Sequence, residues 1–200
     1  MTILLFHSMY GLRPAVHVTA ERWRTAGHEV VVPDLYDGRM PATEEEAADV
    51  RDEIGTDELL ARAVKAAAPY SAGGVLYAGL SLGGALAQNL ALADEHARGL
   101  LLMHGTSDVA DGAAAASGEL PVQLHVADPD PYETHDWQTA WYLRMGRAGA
   151  DVEVFRYPGA GHLFTDPGLA DYDAEATQSA WRVADAFVAE LDGHSAASRG

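Results

Sequence analysis

The sequence predicts an α/β fold in which a mostly parallel sheet of about six to seven strands carries helices on both faces. Short apolar runs alternate with longer helical patterns along the whole chain, which is the order that builds a parallel sheet. The apolar runs are continuous, as in strands that are covered on both faces. A chain of 200 residues with 48% apolar content suits one domain with a substantial core and leaves no room for a large lid.

Each element can be read from these patterns and from the turn residues between them. The predicted strands lie at residues 2–6, 29–32, 74–78, 99–103, 122–126 and 152–157. The predicted helices lie at 14–26, 57–68, 82–95, 132–149 and 173–191. The acidic run 44–46 is interpreted as the solvated start of a further helix, with carboxylates at the positive end of its dipole, and not as a binding site. We expect one domain over 1–192 and a flexible tail over 193–200.

The charge and composition exclude several classes of function. A formal net charge of −17 disfavours nucleic acid and anionic membranes, which reward clustered lysine and arginine. The chain has no cysteine, which is compatible with the cytoplasm and rules out a thiol nucleophile. The apolar run 3–6 is too short for a signal sequence or a membrane span, so we expect a cytoplasmic protein. The sequence indicates no oligomeric state.

The strand at 74–78 leads into the next helix through the pattern Gly-x-Ser-x-Gly, at Gly79, Ser81 and Gly83. This pattern is typical of a nucleophile elbow, in which a serine sits in a strained strand-to-helix turn with its hydroxyl exposed. The glycines leave room where the strand and the helix converge. The alternative is a glycine-rich turn without chemistry. The elbow interpretation predicts that Ser81 is a nucleophile at the carboxyl edge of the sheet.

A nucleophilic serine needs a base that accepts its proton and a carboxylate that orients the base, and after such an elbow the acid precedes the histidine. Of the nine histidines, His162 lies on a tight turn just after the last predicted strand, so it is the predicted base. The turn that follows the strand at 122–126 offers Asp128 and Asp130. We favour Asp130, because Asp128 suits local amide bonding in an Asp-Pro turn, and Asp166 is a weaker third choice.

The predicted oxyanion hole uses two backbone N–H groups, one from the residue after the nucleophile and one from the loop after the first strand. These residues are Leu82 and Met9. Tyr10 and Phe164 are candidates for lining the substrate pocket, with core filling as the alternative for Tyr10. The chain has no His-x-x-x-His pair beside a glutamate and no Gly-x-Gly-x-x-Gly after a strand, so we expect no metal and no organic cofactor.

Five segments of the sequence resemble the dienelactone hydrolases. They are similar to that family's first-strand loop, its Pro-Asp-Leu-Tyr signature, its nucleophile elbow, its acid-bearing turn and its histidine turn, at 6–11, 32–36, 79–84, 125–130 and 157–164. The likeness covers most of the chain. It implies the family's single-domain α/β-hydrolase fold and supports Asp130 over Asp128 as the acid.

Three positions depart from the family's pattern. Ser81 stands where the family has a cysteine, and Ser8 stands where its first-strand loop carries a glutamate that helps to activate the thiol. The two changes agree, because a serine with a His–Asp pair needs no such carboxylate. Asp166 stands where the family places an arginine that holds the substrate carboxylate. We therefore expect a neutral or cationic substrate, unless Arg13 or Arg39 compensates.

Together these residues predict a serine hydrolase that cleaves a small carboxylic ester, thioester or lactone through an acyl-enzyme. Its partner would be a small molecule. The alternative function is a catalytically silent protein of the same fold that binds a small ligand in the cleft. Such a protein should lack a hydrogen bond between Ser81 and His162, or should have its cleft blocked by Tyr10 or Trp137.

Overall fold

A computed structural model of the protein describes residues 1–197. The strands are β1 (Thr2–Phe6), β2 (Glu29–Val31), β3 (Val75–Leu80), β4 (Gly99–Met103), β5 (Leu120–Asp128) and β6 (Ala150–Pro158). The α-helices are α1 (Pro14–Thr25), α2 (Glu44–Ile54), α3 (Thr56–Ala67), α4 (Leu82–Ala93), α5 (His135–Arg147) and α6 (Ala174–Ala197). Within the described residues, none of the helices has the length and apolar character that crossing a bilayer requires.

The six strands form one parallel sheet in the order β2-β1-β3-β4-β5-β6, which confirms the predicted fold class. The chain builds outward from β1 in both directions, so β1 pairs with β2 on one side and with β3 on the other. The reversal of strand order opens a crevice at the carboxyl ends of the strands, which is where open α/β sheets bind ligands. No separate lid covers this edge in residues 1–197.

Each face of the sheet packs against its own layer of helices, because neighbouring side chains on a strand point to opposite faces. Leu4 and Phe6 belong to the core cluster that includes residues of α3, α4 and α5. Ile3 and Leu5 belong to the second cluster, which includes residues of α1 and α6. The continuous apolar runs in the sequence therefore reflect strands that are buried from both sides.

The element boundaries differ from the sequence predictions most clearly at β5, β6, α5 and α6. Strands β5 and β6 are longer than predicted, because they pair with each other over nine residues, from Leu120 with Ala150 to Asp128 with Pro158. Helix α5 begins at His135 instead of residue 132, since Thr134 caps it by accepting the N–H of Trp137. Helix α6 includes residues 193–197 of the predicted tail, and 198–200 lie outside the described residues.

Candidate active site

Ser81 occupies the turn between β3 and α4, at the carboxyl edge of the sheet. Its backbone has φ 50° and ψ −112°, a combination that is costly for a residue with a side chain. Backbone hydrogen bonds hold this conformation. The Ser81 N–H donates to the carbonyl of Met103 at the end of β4, and the Ser81 carbonyl accepts from the N–H of Gly84, both at 2.8 Å.

Three glycines bring the surrounding backbone close enough to hold the turn. A Cβ atom on Gly79 would lie 2.1 Å from the carbonyl oxygen of Gly83, and one on Gly83 would lie 2.3 Å from the carbonyl oxygen of Phe6. A Cβ atom on Gly105 would lie 2.6 Å from the Cα atom of Ser81. Since backbone atoms cannot move aside cheaply, these positions admit only glycine. The ends of β1, β3 and β4 therefore converge on Ser81.

The structure brings Ser81, His162 and Asp130 into one hydrogen-bonded line. The distance from Ser81 Oγ to His162 Nε2 is 2.9 Å, and that from His162 Nδ1 to Asp130 Oδ2 is 2.8 Å. The other carboxylate oxygen of Asp130 accepts the N–H groups of Tyr132 and Glu133 at 2.8 and 3.1 Å. This network assigns the Nδ1 proton of His162 to the carboxylate and leaves Nε2 free to accept from the hydroxyl.

Asp128 and Asp130 lie in different environments although only Pro129 separates them. Asp130 is buried, and its carboxylate faces His162. Asp128 instead accepts a hydrogen bond from His135 Nε2 at 2.8 Å, on the exposed side of the turn. Burial raises the pKa of the Asp130 carboxyl, but the hydrogen bond and charge of His162 and the two backbone donors outweigh it. The pKa of Asp130 therefore lies below its ordinary value.

The loop after β1 carries Met9, the second predicted oxyanion donor. His7 fixes this loop, because its Nδ1–H donates to the carbonyl of Ser8 at 2.7 Å while its Nε2 accepts the N–H of Leu35 at 3.1 Å. Burial lowers the pKa of His7, which favours the neutral ring that this pattern needs. Sequence reasoning assigned His7 no role. Met9, in this anchored loop, and Leu82, the first residue of α4, both line the cleft beside Ser81.

The cleft above Ser81 has a volume of about 580 Å³. Its walls come from the loops that follow the strands, from α2 and from the start of α4. They include Met9, Tyr10, Glu44, Arg51, Ser81, Leu82, Thr106, Tyr132, Glu133, His162, Leu163 and Asp171. Tyr10 lines the cleft as predicted. Phe164 does not, because it is fully buried and packs against His104 and Tyr157 beneath the site. Trp137 also lies outside the cleft, with its indole N–H donating to Thr106 Oγ1 at 2.7 Å.

Several residues of the cleft were not found from the sequence. Glu44 was interpreted as a solvated residue, yet it accepts a hydrogen bond from the hydroxyl of Tyr132 across the cleft. Glu133 is buried and accepts from the N–H and hydroxyl of Thr106 at 2.8 and 2.7 Å. Burial raises the pKa of Glu133, and the bonds from Thr106 only partly offset that effect. Asp171 adds a third carboxylate to the lining. Arg51 adds a guanidinium of opposite charge.

His104 was also missed, and in its case the sequence held a signal. It follows β4 directly, at the same sheet edge as Ser81, and its backbone is left-handed with φ 71°. It is fully buried, and its Nε2 lies 2.7 Å from the hydroxyl of Thr165. Its ring meets that of Phe164 edge-on at 4.6 Å. His104 therefore supports the histidine turn from below. Its position gave the signal, because a polar residue directly after a buried apolar strand lies at the edge of the sheet where the site is expected.

Comparisons with known proteins agree with this geometry. A model of the dienelactone hydrolase family matches residues 1–191. The chain belongs to the dienelactone hydrolase family. It is 29% identical to carboxymethylenebutenolidase 1 from Cupriavidus pinatubonensis (strain JMP 134 / LMG 1197) over 94% of this chain and 84% of that protein.

Solved structures show the same fold at lower identity. A dienelactone hydrolase-like promiscuous phosphotriesterase from metagenomic libraries superimposes with a TM-score of 0.82 at 21% identity, over 95% of this chain and 86% of that one. An esterase from the Planctomycetes species Thermogutta terrifontis has a TM-score of 0.70 at 17% identity, over 95% and 83% of the two chains. The α/β-hydrolase fold of this family member is thus shared with esterases.

The positions at which this dienelactone hydrolase family member departs from the pattern have specific surroundings. Ser8 is buried, and its Oγ accepts the N–H of Tyr10 at 3.3 Å. Asp166 does not contact His162, which excludes it as the acid of this arrangement. It pairs with Arg13, at 2.5 Å between Nε and Oδ2. Arg39 pairs instead with Glu53 at 2.9 Å. Because Arg13 neutralises Asp166, this residue should not repel an anionic substrate. The charges that bear on the choice of substrate are then those of the carboxylates that line the cleft.

Proposed function

We propose that the protein is a serine hydrolase that cleaves a small carboxylic ester, thioester or lactone through an acyl-enzyme. One observation carries the proposal: the hydrogen-bonded line from Ser81 Oγ through His162 to the buried carboxylate of Asp130. The serine lies at a strained elbow facing a cleft, which is the arrangement that activates a weak nucleophile. Membership of a hydrolase family supports the same conclusion.

In the first half of the reaction, Ser81 Oγ attacks the carbonyl carbon while His162 Nε2 takes the hydroxyl proton. Asp130 stabilises the imidazolium that forms, because its carboxylate already accepts the Nδ1 proton. The tetrahedral intermediate collapses when His162 gives its proton to the leaving oxygen, which releases an alcohol and leaves the acyl group on Ser81. In the second half, His162 takes a proton from water as the water oxygen attacks the acyl carbonyl. When this second tetrahedral intermediate collapses, His162 gives that proton to Ser81 Oγ, which releases the carboxylic acid and restores the free serine.

The oxyanion of each intermediate would be held by the backbone N–H groups of Met9 and Leu82. Both residues line the cleft next to Ser81, and Gly83 allows the β1 loop to approach the start of α4. The amino end of α4 adds the positive end of its dipole at the same place. The chain's own residues therefore supply a group for every step of the proposed reaction.

The charges of the cleft support a neutral or cationic substrate. Glu44, Glu133 and Asp171 line it against one guanidinium, that of Arg51, so an anionic ester would meet net repulsion. The cleft volume of about 580 Å³ suits a small ester.

Because the chain lacks cysteine, the reducing cytoplasm is compatible with its function, and we place the reaction there.

The silent ligand-binding alternative receives less support. It would be favoured by a broken contact between Ser81 and His162 or by an obstructed cleft. The Oγ to Nε2 distance is instead 2.9 Å, and Trp137 stands outside the cleft. Tyr10 lines the cleft without filling it. The chemistry of the site thus favours turnover over simple binding.

The test is labelling by a fluorophosphonate, followed by intact-mass measurement and peptide mapping. We expect one adduct per chain, on Ser81, and none in Ser81→Ala. In His162→Ala the labelling rate should fall by about 1,000-fold, because the hydroxyl then has no base. His135→Ala is the matched control, since His135 is an exposed histidine that bonds Asp128 and should leave the rate unchanged. A folded wild-type protein without an adduct would overturn the proposal in favour of ligand binding.

A further inference from the structure

A hydrogen bond crosses the mouth of the cleft between two residues that are far apart in sequence. The hydroxyl of Tyr132, in the loop after β5, donates to Oε1 of Glu44, the first residue of α2. Both residues line the cleft that contains Ser81. We call this pair the Tyr132–Glu44 bridge. The proposed mechanism assigns it no role, although it joins the start of α2 to the loop bearing the acid.

The bridge holds the ring of Tyr132 next to the proposed base. The N–H of Tyr132 donates to Asp130 Oδ1 at 2.8 Å, which fixes the backbone of the loop. The Tyr132 ring centroid lies 4.6 Å from that of His162, with 57° between the ring planes. At its other end the phenol is held by Glu44. Although 56% of the Tyr132 residue surface is exposed, the residue is thus anchored at both its backbone and its hydroxyl.

The position of His162 determines which part of a substrate lies beside this ring. After acyl transfer, His162 must protonate the leaving oxygen, so that oxygen has to come within hydrogen-bond reach of Nε2. The alcohol portion of an ester therefore lies on the His162 side of Ser81, and the acyl portion lies toward the opposite side. Since the Tyr132 ring is packed beside His162, the bridge borders the alcohol portion.

We propose that the Tyr132–Glu44 bridge encloses the leaving-alcohol side of the cleft and makes the protein select esters of short, unbranched alcohols. This inference rests on the proposed function. Tyr132 is a specificity-determining residue whose ring is the wall, and Glu44 is a positioning residue that acts through Tyr132. An alcohol with a bulky group near its oxygen would have to displace the ring and break the bridge. Selection therefore acts on the size of the alcohol and leaves the acyl group unaffected.

The hydroxyl of Tyr132 is suited to act as the donor of this bridge at neutral pH. The hydrogen bond to Glu44, together with burial and the nearby carboxylates, raises the pKa of Tyr132 to about 12. The phenol therefore remains a donor at neutral pH. A bridge of this kind differs from a mobile side chain because its hydroxyl is held by a hydrogen bond to a carboxylate oxygen of another element.

The experiment compares acetate esters of three primary alcohols whose oxygens have similar acidity: ethanol, isobutanol and cyclohexylmethanol. The readout is the ratio of kcat/KM for the cyclohexylmethyl ester to that for the ethyl ester, because a ratio cancels any general loss of activity. Tyr132→Ala should raise this ratio by about tenfold, the scale on which a pocket discriminates by size. A second series of ethyl esters with longer acyl groups should show no such change.

Two further variants separate the bridge from the ring. Tyr132→Phe keeps the ring and removes the donor, and Glu44→Ala removes the acceptor, so both should raise the ratio by a similar, smaller factor. The double variant that combines Tyr132→Phe with Glu44→Ala should raise the ratio no further than either single variant, since the two residues act through one contact. Glu45→Ala is the matched control, because it removes a neighbouring carboxylate of α2 that lies outside the cleft. It should leave the ratio unchanged.

Fluorophosphonate labelling of Ser81 in every variant keeps the two proposals apart. Ser81 labelled at the wild-type rate, with an alcohol ratio that no variant changes, would overturn the bridge as a selectivity element and leave the hydrolase assignment standing. A change in the acyl series in place of the alcohol series would also overturn the inference. A wild-type chain that takes no label would overturn the proposed function, and this inference with it.

Discussion

Two sides of the cleft are built in different ways. The elbow corner, which contains Ser81, His162 and Asp130, is held by backbone: glycines without room for a Cβ atom, and amides that bond the buried carboxylate. The adjoining part of the lining, the tyrosine wall of Tyr10, Tyr132, Glu44 and Asp171, is held largely by side chains, and Tyr132 is 56% exposed. Substitutions at the corner should therefore affect folding or chemistry, whereas substitutions at the wall should affect the choice of substrate.

The difference extends to the charges. Asp130 and Glu133 are both buried and only three residues apart, yet their pKa values move in opposite directions. Asp130 faces His162 and two backbone donors, which together outweigh its burial. Glu133 bonds a neutral threonine, and burial dominates. The two carboxylates thus differ in their partner. Asp130 faces His162, which becomes positively charged during turnover, whereas Glu133 faces a neutral side chain.

The largest effect is expected from Asp130→Asn. The Asn carbonyl can accept the N–H groups of Tyr132 and Glu133, so the fold should survive, but its amide group then faces His162 Nδ1. That contact forces the proton onto Nε2, which can no longer accept from Ser81. We expect kcat for a neutral ester to fall by about 10,000-fold, as measured by ester hydrolysis under saturating substrate.

Asp128→Asn is the control for this change. Asp128 bonds the exposed His135, and surface pairs of this kind contribute little, so activity should fall by less than about threefold. A large loss in Asp128→Asn beside a small loss in Asp130→Asn would show that the assignment of the acid is wrong. It would also mean that the turn after β5 changes its conformation when a substrate binds.

The corner could be predicted from the sequence because its constraints are local. The Gly-x-Ser-x-Gly pattern specifies the turn at Ser81 through neighbours within two residues. The parallel strand order then brings the turns that bear Asp130 and His162 to the same edge. The strands β1 and β4 were also predicted at their observed positions, since continuous apolar runs identify strands buried on both faces.

Apart from Tyr10, the wall could not be predicted, because its contacts join residues without a shared local pattern. Glu44 and Tyr132 are 88 residues apart, and an acidic residue at a helix start is indistinguishable in sequence from a solvated one. The pairing of Arg13 with Asp166 spans 153 residues and likewise has no local signal. Phe164 was a predicted candidate for the pocket, but its side chain is buried in the core.

A smaller effect, on stability, is expected from Gly83→Ala. A methyl group there would lie 2.3 Å from the carbonyl oxygen of Phe6 and 2.6 Å from that of His7, so the ends of β1 and α4 would have to separate. We expect the free energy of unfolding to fall by about 3 kcal/mol, measured by urea denaturation.

Gly146→Ala is the matched control, because Gly146 lies in α5 with open space around its Cβ position. Alanine is the better helix former, so this variant should gain up to about 1 kcal/mol. Equal stability changes in Gly83→Ala and Gly146→Ala would contradict the view that close backbone packing holds the corner.

The smallest effect is a pH dependence at the junction of the two regions, in Glu133→Gln. The pKa of Glu133 is higher in the folded chain than its unfolded value of about 4.3, so the folded state holds the proton more tightly. Its contribution to stability is therefore complete below that unfolded pKa and is lost as pH rises through the folded pKa. Asp130 has the opposite sign, because its depressed pKa gives a contribution that is lost as pH falls.

Glutamine at position 133 keeps an acceptor for the N–H of Thr106 and cannot ionise. The free energy of unfolding of Glu133→Gln, relative to wild type, should therefore rise with pH above about 4.3 and level off beyond the folded pKa, with a slope below about 1.4 kcal/mol per pH unit. Urea denaturation from pH 4.5 to 8 measures it, with the exposed Glu45→Gln as the flat control. A relative stability that decreases with pH would mean that the ionised carboxylate is held by Thr106 more strongly than burial opposes it, which would make Glu133 resemble Asp130.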